Sequence, residues 1–85
     1  MLKIRNVNDE TKWKDYSRID YVCNQANVRI TAISDDQKRR EYALKQIRAL
    51  GFKCQVIWER KEIQVFNQTV DGKKIFICSI EDERS

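Results

Sequence analysis

At Gly51 the hydrophobic period of this chain changes from about 3.6 to 2, and that switch restricts the fold more than any other feature. Before it, Ala43, Leu44, Ile47 and Leu50 fall on one stripe of a helix. Ser34 followed by Gln37 has the spacing of a capping box, in which the hydroxyl accepts an orphan amide proton and the glutamine reaches back. Asp35 and Asp36 suit the positive end of the helix dipole, and Gly51 suits the left-handed residue that ends many helices. These signals predict a helix over residues 35–50.

After Gly51, Phe52, Cys54, Val56 and Trp58 alternate with Lys53, Gln55 and Ile57, as on a strand. The polar run Glu59–Glu62 reads as a turn, and alternation resumes at Ile63 and Val65. Asp71-Gly72 is a hairpin signal, because both residues tolerate positive φ. In KKIFICSIE, Ile75 and Ile77 take one face while Phe76, Cys78 and Ile80 take the other. Two further strands are expected nearer the start, in LKIRNV and in NVRITAI (residues 27–33). Residues 9–22 between them, with Trp13, Tyr16 and Ile19 every third position, are read as a short helix or a structured loop. The fold class is therefore α+β: a two-layer sandwich with one main helix packed on a small antiparallel sheet of four to five strands. With 85 residues, no proline and no low-complexity linker, the chain is one domain over 1–85, with the charged tail 81–85 expected to fray.

Several functions lose support from what is missing. There is no histidine, and the three cysteines are far apart in apolar surroundings. A tetrahedral zinc site needs four nitrogen or sulfur ligands, so no metal or cofactor is expected. Cys23, Cys54 and Cys78 read instead as reduced core thiols, which places the chain in the cytoplasm. No apolar run approaches membrane-spanning length, and no signal peptide is read. A nucleophile would lack its common base, and no glycine-rich phosphate loop exists, so the chain is expected not to be an enzyme.

The net charge of +4 points toward polyanions or acidic protein surfaces. Five basic residues fall between Lys38 and Arg48. The helix stripe opposite the apolar one carries Lys38, Tyr42, Lys45 and Ala49, flanked by Arg39 and Arg48, while Arg40 leans toward the apolar side near the helix start. A row of cations with a tyrosine among them suits a phosphate backbone and a stacked base. The predicted site is thus Lys38, Arg39, Tyr42, Lys45 and Arg48, in a small non-catalytic module that binds the backbone of DNA or RNA. The competing explanation is that any exposed helix face must be polar, and that Glu41 and Lys45 form an intrahelical pair. The alternative function is a protein-interaction module, an inhibitor or adaptor of the kind encoded by phages and mobile elements, or a homodimer. Its interface would use the aromatics Trp13, Tyr16, Tyr21, Trp58 and Phe66.

Two weaker patterns complete the reading. Glu59-Arg60-Lys61 matches the Glu-x-Lys half of a metal-dependent nuclease motif, but no second acidic ligand precedes it. Ile75–Ile80, IFICSI, resembles the apolar strand hexamer of RNA-recognition domains, in which an aromatic residue stacks on a base. The resemblance covers one strand at the wrong end of the chain, so Phe76 is expected in the core or beneath a partner.

Overall fold

A computed structural model describes residues 1–30 and 36–83. The elements run β1 (Leu2–Val7), α1 (Trp13–Arg29), α2 (Asp36–Ala49), β2 (Lys53–Ile57), β3 (Glu62–Gln68) and β4 (Lys74–Asp82). The four strands form an antiparallel sheet in the order β1-β4-β3-β2. Both helices pack on one face of it, α1 toward β1 and α2 toward β2. The α+β sandwich expected from the sequence is the observed architecture, with four strands and two helices.

The second helix is the larger departure. α1 extends over 17 residues and buries Ile19, Val22, Cys23 and Ala26, an i, i+3, i+4, i+7 set. Trp13 stands on its exposed side, stacked on Tyr16 at a ring separation of 5.6 Å. The predicted strand 27–33 is corrected by this helix. Asn27, Val28 and Arg29 are its last turn, and Ile30 caps it through a 3.0 Å bond to the Ala26 carbonyl. Helical hydrogen bonding outweighs the β-branched propensity of Val28, whose side chain remains exposed. Residues 31–33 and the capping box at Ser34 lie outside the described residues. Asn27 also ties α1 to the sheet. Its Oδ1 accepts the Leu2 amide at 2.7 Å and its Nδ2 donates to the Leu2 carbonyl at 3.0 Å. An edge-strand backbone is thereby satisfied by a side chain.

Strand alternation and register sort the sheet into two faces. Ile63 pairs with Val56 and Ile80, and Ile80 pairs with Ile4; Val65 pairs with Cys54 and Cys78. This set meets Ile19, Cys23, Ala26, Ala43 and Ile47 in the core. Each fully buried isoleucine contributes about 1.5–3 kcal/mol relative to exposure. Lys53, Gln55, Gln64, Phe66 and Glu81 point the other way, and no helix packs over that face among the described residues.

β4 does not keep the simple alternation predicted for it. Val65 pairs with Cys78, but Phe66 pairs with Phe76, so Ile77 is an extra residue in a β-bulge. Cys78 and Ile80 turn toward the helices, while Phe76 turns to the open face beside Phe66. The bulge is held from the chain start. The Asn8 amide and the Thr11 hydroxyl both donate to the Ile77 carbonyl, at 2.8 and 3.2 Å, and Asn8 Nδ2 donates to the Phe76 carbonyl at 2.9 Å.

Of the tail 81–85 expected to fray, Glu81 and Asp82 belong instead to β4, and residues 84–85 lie outside the described residues. Glu81 pairs with Lys3 and with Glu62, and Asp82 pairs with Leu2. The Asp82 carboxylate is buried and receives Arg39 Nη1 at 3.0 Å, Arg40 Nη1 at 3.0 Å and the Met1 amino group at 2.8 Å. Three cations converging on one carboxylate supply the charge-assisted bonds that make such burial tolerable.

Candidate nucleic-acid interface

The outer face of α2 carries fewer usable cations than its sequence promises. Arg39 is 5% exposed, bonded to Asp82 and, through Nε, to the Ile30 carbonyl at 2.9 Å. On a helix of 100° per residue Arg39 lies about 40° from Ala43, so once Asp82 sits beneath it, inward is the favourable direction. Tyr42 is half-buried against the core. Arg40 is buried as well, with its guanidinium 5.7 Å from the Trp58 ring centroid. Among the described residues, its Nε is a buried polar atom without a hydrogen-bond partner. Lys38, Lys45 and Arg48 remain exposed, and exposed Glu41, bonded to Gln37, interrupts their row. Of the five predicted positions, three face solvent and two turn inward.

A different grouping emerges where α2 ends. Gly51, at φ +100°, turns the chain so that Arg48 stands beside the first residues of β2. Arg48, Lys53 and Lys74 line a cleft of about 400 Å³ together with Gly51, Phe52 and Cys54. No carboxylate lines it. Among the described residues, the ion pairs join Arg5, Lys3, Arg18, Arg39, Arg40 and the Met1 amine to acids, and none involves Arg48, Lys53 or Lys74. A cation in the last turn of a helix is favoured by the helix dipole, which accounts for Arg48. It does not account for Lys53 and Lys74, which come from two strands on either side of β3.

Two of the cleft's cations, Lys53 and Lys74, stand on the bare sheet face. Lys53 pairs with Phe66 across β2 and β3, and Lys74 Nζ stands 6.0 Å from the Phe66 ring centroid. Phe66 and Phe76 form an edge-to-face pair with centroids 5.8 Å apart. The far side of the same face is neutralised, with Lys3 and Arg5 paired to Glu81 and Glu83. From the sequence, Lys53 and Lys74 stand with Arg29 and Lys73 as cations available to extend the helix patch, and their grouping with Phe66 and Phe76 is not legible there. The only signal was that Lys53 and Lys74 begin strands that flank a third.

The other candidates separate in space. Trp13 and Tyr21 are exposed on α1, Trp58 begins a 3₁₀ turn after β2, and Phe66 lies on the open face, so these aromatics do not share one patch. Glu59 and Arg60 occupy that exposed turn, and Lys61 follows it in a left-handed conformation. Among the described residues, no group of three His, Cys, Asp or Glu is placed to hold a metal ion, and no helix is long and apolar enough to cross a membrane. No protein-family model matches the chain, and neither a curated protein nor a solved structure matches it.

Proposed function

We propose that this protein is a small non-catalytic nucleic-acid-binding module, and that its phosphate contacts centre on the cleft of Arg48, Lys53 and Lys74. The observation that carries this reading is the convergence of three cations from three elements around one opening with no lining carboxylate. Exposed Lys45, one turn before Arg48 on α2, adds a further cation beside the cleft. Affinity comes mainly from counterion release, so it falls steeply with salt. With about three or four phosphates neutralised, the logarithm of the binding constant falls against the logarithm of salt concentration with a slope of about −2 to −4.

The test is fluorescence anisotropy with labelled random oligonucleotides over a salt series. The expected result is binding at low salt, with a slope that flattens in the Arg48→Gln, Lys53→Gln, Lys74→Gln variant. Absence of binding at the lowest salt, or a triple variant that binds as the parent does, removes the proposal.

A further inference from the structure

We infer that the open face of the sheet is a stacking platform for unpaired nucleotides, with Phe66 and Phe76 as the stacking surfaces and the adjacent cleft taking the phosphates. This inference rests on the nucleic-acid reading above and specifies its substrate class as single strands.

Three observations carry it. The first is placement: Phe66 and Phe76 lie side by side on the two central strands, half-buried, on the face that no helix covers among the described residues. The second is the bulge. Phe76 and Cys78 are two residues apart and would share a face on a regular strand, so without the extra residue at Ile77 Phe76 would point toward the helices. The bulge re-aims this aromatic ring outward, and Asn8 and Thr11 spend three hydrogen bonds holding it there. The third is charge complementarity. Lys53 and Lys74 flank Phe66 from neighbouring strands, and Arg48 lies beyond them in the cleft. A base on the ring therefore leaves its phosphates near two or three cations. Gln64 and Gln55, paired one step along the same face, offer amide groups at the height of a base edge.

Duplex bases are already stacked on one another and leave no free face for a ring held on a sheet. Stacking on an aromatic ring tolerates any base, because each has a π face, so little sequence preference follows.

The experiment compares four labelled probes of one length: single-stranded DNA, single-stranded RNA, duplex DNA and an abasic deoxyribose-phosphate strand. Each is titrated against the parent, Phe66→Leu, Phe76→Leu and Phe66→Tyr, with folding of every variant confirmed by circular dichroism and urea unfolding. The parent is expected to prefer single strands over duplex and abasic probes. Phe66→Leu and Phe76→Leu each lose about tenfold in single-strand affinity, Phe66→Tyr restores it, and the salt slope stays unchanged. With deoxyuridine replacing thymidine in the DNA probe, the two single strands differ only at the 2′-hydroxyl, so a gap between them identifies the preferred strand. If the abasic or duplex probe binds as tightly as the single strands and the leucine variants change nothing, the platform is overturned while the cationic cleft stands. If no probe binds at low salt, both readings fall together.

Discussion

Replacing Asp82 by asparagine isolates the buried charge cluster with almost no change in shape. The Asp82 side chain is 2% exposed, and it meets Arg39 and Arg40, whose side chains are 5% and 10% exposed, each at 3.0 Å. The third partner is the Met1 amine at 2.8 Å. The asparagine removes the buried carboxylate that Arg39 and Arg40 share, and loss of one member of a buried pair costs about 3–5 kcal/mol. At about 0.05–0.15 kcal/mol per residue, the whole domain has about 4–13 kcal/mol to lose. Asp82→Asn is therefore expected to remove about a quarter or more of the stability. Urea unfolding followed by tryptophan fluorescence reads this directly, because Trp58 lies against Arg40. With a slope near 1 kcal/mol per molar urea, the midpoint drops by about 3–5 M. A triple replacement, Arg39→Met, Arg40→Leu and Asp82→Leu, removes the desolvation cost with the charges and is expected to recover most of the loss. A loss below about 1 kcal/mol in Asp82→Asn would refute the reasoning, since that is the size of a water-screened surface pair.

Two further outcomes follow from local geometry. Lys61 adopts φ 53°, which costs a residue with a Cβ about 1–2 kcal/mol, so Lys61→Gly is expected to stabilise by about 0.5–1 kcal/mol after glycine's own entropy is counted. A lower urea midpoint in that variant would mean the lysine side chain contributes more than its backbone strain costs. Burial pushes the Cys23 and Cys78 thiols up from 9.0 to about 12, so their contribution to stability is complete below about pH 9 and is lost as pH rises toward about 12. Unfolding free energies from urea titrations across that window are expected to fall by up to about 1.4 kcal/mol per pH unit per thiol, and less steeply in Cys23→Ala; parallel slopes in the two proteins would count against buried thiols.

What the sequence made legible was local. α2 announces itself through its apolar stripe and the glycine after it, and the hairpin at Asp71-Gly72 through its turn residues. α1 was obscured because Trp13 and Tyr16, its most conspicuous aromatics, stack together toward the outside, whereas the modest set Ile19, Val22, Cys23 and Ala26 makes the contacts. The site was harder to read, for a different reason. Whether Arg39 points in or out depends on Asp82, 43 residues away in a segment whose composition reads as a loose tail. Phe76 faces outward only because a bulge breaks the alternation, and that bulge is held by Asn8 and Thr11, more than 60 residues distant. Long-range partners decided both orientations, and neither pattern nor propensity carries such information.

The pairing of β1 with β4 has a kinetic corollary. Leu2 meets Asp82 across nearly the full length of the chain, whereas β2, β3 and β4 follow one another through short turns. Closing the long loop carries an entropic toll that the meander never faces. The three later strands can assemble as a local nucleus, and the opening strand docks onto β4 afterwards. The Met1 amine, carried by that opening strand, reaches the Asp82 carboxylate only when β1 pairs with β4, so the charge cluster is complete only once the first and last strands have met.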